Sequence, residues 1–401
     1  MTSTPTTSPA AVIADPAVDY ESKKPKAERG IPSLDGIRAV SILIVLISHA
    51  FTDKVPGGFG VVVFFFLSGY LITSLLRIEQ EKKGAVSLTK FYTRRALRIF
   101  PNSYLVLAIS FLLGWLGWIW VFDPASTNET VNLRAVLYHA FYLNNYYQTF
   151  FDNAHAPHGS GVYWSLAVEE HFYLIWPAAF IVLHKVCKTN LQRVWVLGAL
   201  CVVSLAWRIV IMAVLSKHAG LDIAHSWAYR NTDARMDSLA YGCILALVGN
   251  PYLDKKWLND QFWCFVAVPI ALLVLLASFM VRDSEATHGV LTAPEFYRQT
   301  FRYSVQSLAL FPLFIAAVRC HDKPLFAWLN WSPLKFLGVL SYSLYLVHLM
   351  VIFNVQRWCW KTPLDNKLFT GSVSIAISLV LAVAMYYLLE KPLQGLRKKL
   401  H

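Results

Sequence analysis

Arg38 and His49 lie eleven residues apart in one apolar run, LDGIRAVSILIVLISHA, that ends at Ala50. In a helix, eleven steps of about 100° leave the two side chains about 20° out of phase, on one face. Their axial separation is roughly 16 Å at 1.5 Å per residue. A neutral imidazole accepts a proton near neutral pH, as a general base must. With the Arg at the cytoplasmic boundary of a span, His49 falls near mid-membrane; the plainer use of such a His is a hydrogen bond to a neighbouring helix. A second group, Ser165, Glu169 and Tyr173, recurs every fourth residue and forms a polar stripe, with Glu170 about 100° away. Carboxylates on an apolar helix are expensive unless they face a cavity or a partner. One that meets His49 would orient the ring and stabilise its protonated form; a structural ion pair with an Arg is the other use.

Arg94, Arg95 and Arg98 stand just before an apolar run that begins at Pro101. Planar guanidinium forks match phosphate, so the cluster suits an anionic coenzyme as well as lipid headgroups. Gly57, Gly58 and Gly60 open the second run and predict close packing against the first; Ser68 is the residue there with chemistry to offer. Asp233 and Asp237 are one turn apart with Arg235 between them, which reads as a solvated, paired helix end or as a site for a hydroxyl-rich acceptor. His155 and His158 have loose metal-ligand spacing that no further ligand completes, so no metal is expected. Six cysteines form no CxxC pair, the sequence holds no Walker loop, and the Asn128-Glu-Thr130 sequon decides nothing.

The elements that position these groups follow from composition. The 401 residues are 56% hydrophobic and 15% charged, against about 25% charged in ordinary soluble domains. This excludes a disordered chain and a small disulfide scaffold, and predicts an all-α, polytopic membrane bundle of about ten helices. The spans fall near 37–52, 58–76, 101–121, 162–183, 194–215, 237–249, 259–281, 303–318, 336–355 and 370–389. With the N-terminus inside, the cytoplasmic segments hold more than twice as many Lys and Arg as the external ones, and Arg208 lies within a span. Both termini are therefore expected in the cytoplasm, and the net charge of +12 is a topology signal with no nucleic acid implied. Residues 1–30 read as a disordered tail without a signal peptide, 31–392 as the membrane domain and 393–401 as a basic tail. In the external stretch 122–161, the aromatic run from Tyr138 to Tyr147 reads as an interfacial helix followed by a loop.

In this order, the motifs resemble the integral-membrane acyltransferase family often called acyltransferase 3. The likeness runs from Ser33 to Pro392 through the R-x10-H run, FFFLSGYLI, FYTRRALRIFP, YWSLAVEEHFYLIWP, TDARMDSLAYGCILA, LGVLSYSLYLVH (337–348) and Tyr386-Tyr-Leu-Leu-Glu390-Lys-Pro392. Val62 departs from the family, where many relatives carry a polar residue, often Asp. The resemblance implies transfer of an acyl group, usually acetyl, from cytoplasmic acyl-CoA to a hydroxyl of a glycan or lipid-linked sugar. The expected setting is a bacterial inner membrane. His49, Glu169 and Glu170 are then the catalytic candidates, with His49 as base or transient acyl carrier. Arg38, Arg94, Arg95 and Arg98 would hold the donor. Ser68, Tyr163, Trp164, Ser165, Asp233, Arg235 and Asp237 would bind the acceptor. The competing expectations are a ten-span transporter or flippase, with His49, Glu169 and Arg208 as a proton relay, and a scaffold without catalysis. The absence of an internal repeat weakens the inverted-repeat transporter architecture. Oligomeric state is not legible in the sequence.

Overall fold

Hydrocarbon demands that every backbone polar group be bonded within the protein, and separate apolar segments meet that demand as helices. The computed structural model describes residues 31–116, 133–151, 156–157, 159–255, 258–281 and 291–398, and among them there are helices and turns but no strands. In chain order the principal helices are α1 (Leu34–Ala50), α2 (Gly57–Lys83), α3 (Leu88–Trp115), α4 (Leu133–Ala140), α5 (Asn144–Phe150), α6 (Tyr163–Val186) and α7 (Asn190–Val210). They continue with α8 (Leu221–Arg230), α9 (Thr232–Leu247), α10 (Val268–Met280), α11 (Ala293–Gln299), α12 (Arg302–Arg319), α13 (Ser332–Cys359) and α14 (Lys367–Met385). Among the described residues seven helical segments are long and apolar enough to cross a membrane, or eight if α11 and α12, bent by 54°, form one span. Helices α1 and α9, of 17 and 16 residues, are shorter than these and stand where the first and sixth spans were expected. The protein is a polytopic helical membrane bundle.

Glycines set how closely the central helices approach. A Cβ on Gly69 of α2 would lie 2.0 Å from the Leu239 carbonyl oxygen, and one on Gly242 of α9 would lie 2.0 Å from that of Phe66. The two backbones therefore touch at reciprocal glycines, and any larger residue at either would push them apart. Gly60 does the same for α2 against α1, where its Cβ would meet the Ser41 carbonyl oxygen at 2.6 Å. Packing of α2 on α1 was expected from its glycines; α9 is a second neighbour. Where α2 and α9 end, Arg77 binds Asp254 at 2.5 Å and the buried Asn250 accepts from the Tyr70 hydroxyl at 3.0 Å.

Two expectations need correction. Helix α3 starts at Leu88 and carries Pro101 inside it, so the arginine cluster lies within the helix and not ahead of it. The aromatic stretch is not one interfacial helix: α4 and α5 are separated by Tyr142, whose φ of 55° breaks the helical path. The tail 1–30, the sequon, and both His155 and His158 lie outside the described residues.

Candidate active site

The polar stripe of α6 faces a narrow slot of about 90 Å³ walled by residues of α1, α2, α3, α6 and α13. Glu169 is held there by α2 and by its own helix: Ser68 Oγ donates to Oε1 at 3.1 Å, and the Tyr173 hydroxyl lies 3.1 Å from Oε2 and 3.0 Å from Ser68 Oγ. Ser165 shares a hydrogen bond of 2.7 Å with the Tyr345 hydroxyl, which brings α13 into the wall. Glu170 also lines the slot. Arg38, Arg95 and Arg98 line it together with the two carboxyl groups. Arg95 stacks over the Tyr173 ring at 5.0 Å, and Arg38 is steadied by Asp35 at 2.7 Å. Arg94 faces a neighbouring recess, where it pairs with Glu79 at 3.2 Å. Arg95, the next residue, edges this recess as well but also reaches the slot, which Arg94 does not. Arg38 takes the third place at the slot.

His49 sits in the last turn of α1, and its side chain is exposed, not enclosed at the middle of the span. Nor does it meet Glu169. Its Nδ1 lies 3.0 Å from Nε2 of His348, a fully buried residue of α13. The tautomers follow from the partners. His348 Nδ1 lies 2.8 Å from the Tyr345 carbonyl oxygen and 3.2 Å from that of Leu344, and carbonyls only accept, so this nitrogen carries the proton. A second proton on His348 would be an unpaired charge in the core, so its Nε2 is a bare acceptor. His49 must then donate through Nδ1, which leaves the lone pair on its own Nε2 turned to the exposed side. That nitrogen can take a proton from a hydroxyl. Tyr345 joins the two places: it lines the slot, and its ring lies 5.5 Å from that of His348.

A wider cleft of about 710 Å³ opens at the C-terminal end of α1, where Ser48, the residue before His49, is part of its wall. Between slot and cleft stands a partition centred on Arg235, which is wholly buried. Its guanidinium lies 3.9 Å from the ring centroid of Tyr303, 5.6 Å from Tyr229, 5.7 Å from Trp164 and 5.5 Å from Phe65. Phe65 faces the slot, while Tyr229 and Tyr303 face the cleft. Tyr163 is buried against α3 and α4, with its hydroxyl 3.4 Å from the Ser103 carbonyl oxygen and its ring 5.9 Å from that of His139.

The solvated helix end expected at Asp233 and Asp237 is a buried network instead. Asp237 is fully enclosed and takes a two-pronged bond from Arg208, at 2.9 and 2.6 Å, with Ser304 at 2.7 Å. Asp233 accepts from the indoles of Trp207 and Trp227. Arg208 also holds the Thr300 carbonyl oxygen at 2.9 Å, which fixes the bend between α11 and α12. Its described bonds lead to Asp237, Thr300, Ala234 and Ser304, so Arg208 is not brought to His49 and Glu169 as a relay requires.

The family model described as acyltransferase domain matches residues 31–389. This chain belongs to the acyltransferase domain family. The match covers the slot, the histidine pair and the cleft. The O-acetyltransferase OatA of Staphylococcus aureus is 27% identical over 382 residues, across 93% of this chain and 58% of that protein. A Bacillus subtilis protein with the provisional name peptidoglycan O-acetyltransferase YrhL is 30% identical over 393 residues, across 93% of this chain and 57% of its own length. The chain thus spans somewhat over half the length of these curated relatives. No solved structure matches it.

For a member of the acyltransferase domain family, the structure gathers Arg38, Arg95, Arg98, Ser68, Ser165, Glu169 and Glu170 around one slot, and sets Arg94, Asp233 and Asp237 apart from it. Trp164 and Arg235 form part of the partition, and Tyr163 is buried against α3. His348 and Tyr345 are the residues that sequence reasoning passed over. The signal for His348 was present: it is a second ionisable side chain inside an apolar run, the same feature that singled out His49.

Proposed function

We propose that this chain is a membrane O-acetyltransferase that moves an acetyl group from acetyl-CoA, or a similar acyl-CoA, to a hydroxyl of an envelope glycan. The single observation that carries this is the hydrogen-bonded chain from the Tyr345 carbonyl oxygen through His348 to His49, which leaves a bare imidazole nitrogen on the exposed side of the pair. His49 Nε2 removes the acceptor's hydroxyl proton as that oxygen attacks the thioester carbonyl. The C–S bond breaks, and the proton returns to the departing thiolate. The family supports acyl transfer, and the names of the relatives support acetyl and a glycan. The slot's three guanidinium groups suit the phosphates of a coenzyme, and its narrowness suits the thin acyl-bearing arm. Glu169, locked by Ser68 and Tyr173, orders the wall along which that arm would lie.

The test is acetyl transfer from labelled acetyl-CoA to a crude envelope glycan fraction by the purified full chain. Label reaching glycan in a His49-dependent manner supports the reading, and no transfer overturns it. Arg95→Ala and Arg98→Ala are each expected to raise the donor KM about tenfold and to leave the acceptor KM within about twofold. Arg94→Ala, at the neighbouring recess, should leave the donor KM unchanged. Equal effects from all three in steady-state kinetics would remove the slot as the donor site.

The charge asymmetry supports a donor approaching from the cytoplasm, with both termini on that side. In a background without native cysteines, a membrane-impermeant maleimide added from outside should label Ala140→Cys and spare Ala85→Cys. The reverse pattern would invert this topology.

A further inference from the structure

We infer that the wide cleft is the acceptor subsite and that it selects a glycan bearing a negative charge, carboxylate or phosphate, close to the hydroxyl that receives the acyl group. This rests on the transfer reading above and adds the chemical class of the acceptor. Size comes first: about 710 Å³ against about 90 Å³ for the slot gives the bulky partner to the cleft. Position agrees, because Ser48 of its wall is the neighbour of His49. Charge then decides the class. Lys54, Arg298 and Arg302 line the cleft against one carboxylate, Asp53. Arg298 stands in the last turn of α11 and Arg302 opens α12, on either side of the 54° bend that Arg208 pins through the Thr300 carbonyl. Guanidinium forks take carboxylate and phosphate in two-pronged fashion. Tyr229 and Gln299 also stand in the cleft wall and offer a hydroxyl and an amide to an acceptor's hydroxyl groups.

The experiment uses the reconstituted full chain with acetyl-CoA and three oligosaccharides of equal length: neutral, carboxylate-bearing and phosphate-bearing. One charged acceptor should show a KM about tenfold below the neutral one, and which of the two it is identifies the source of the charge. Arg302→Gln should bring that KM back to the neutral value with kcat and donor KM unchanged, and Arg298→Gln should move it in the same direction. Added salt should raise it in the unaltered protein, a readout that needs no variant. Transfer to all three with equal KM, insensitive to salt and to both substitutions, overturns the charge selection while the transferase reading stands. No transfer to any of them overturns that reading and this inference with it.

Discussion

His49→Ala is expected to lower acetyl transfer by about 10²- to 10⁴-fold, the usual contribution of a positioned general base. Folded yield should stay at the level of the unaltered protein, because the His49 side chain is exposed at the end of α1 and fills no core space. The neighbour separates mechanism from packing. His348 accepts from His49 Nδ1 and so keeps the reactive lone pair on Nε2. His348→Phe removes that acceptor and frees the His49 ring to change tautomer or swing. His348→Gln offers an amide oxygen in its place, and should retain clearly more activity than the phenylalanine variant. A purely structural role would not produce that order. In pH profiles the limb that reports deprotonation of His49 should vanish in His49→Ala and persist in His348→Gln. Near-normal transfer by well-folded His49→Ala would end the base assignment.

Asp237→Ala should instead act on the fold. Arg208 and Asp237 are both wholly buried and bonded through two prongs. Removing one partner leaves an uncompensated charge in the core, at a cost of about 3–5 kcal/mol. Thermal unfolding in detergent should show a clear fall in Tm and in folded yield. The double replacement Arg208→Met with Asp237→Leu should recover part of the loss, since no charge is then stranded. Recovery stops short of complete because the Thr300 and Ala234 carbonyl oxygens lose their donor. An Asp237→Ala protein with unchanged Tm and a raised acceptor KM would restore Asp237 as a binding residue.

The sequence made the membrane bundle legible because apolar run length and polar stripes are local properties. The Ser165, Glu169 and Tyr173 stripe lines the slot as its spacing requires. Pairings between helices were not local and were misjudged. His49 and Glu169 both carried a warning of cost, and the simplest pairing joined them. The structure gives each a different partner, because α13 supplies His348 and α2 supplies Ser68. Arg94 and Arg95 looked alike on the page, and only the neighbours of α3 assign one to Glu79 and the other to the slot. Asp237 read as solvated because a helix start near an external loop usually is. Arg208, 29 positions away in sequence, removes it from water.

The partition around Arg235 bears on leakage. The direct line from Phe65 at the slot to Tyr229 and Tyr303 at the cleft runs through four aromatic rings packed round the buried guanidinium of Arg235. Such a charge, in a medium of low dielectric, raises the barrier for hydronium and sodium far more than for a neutral acyl group. Along that line, the same few side chains that keep the two cavities apart also oppose the leak of cations.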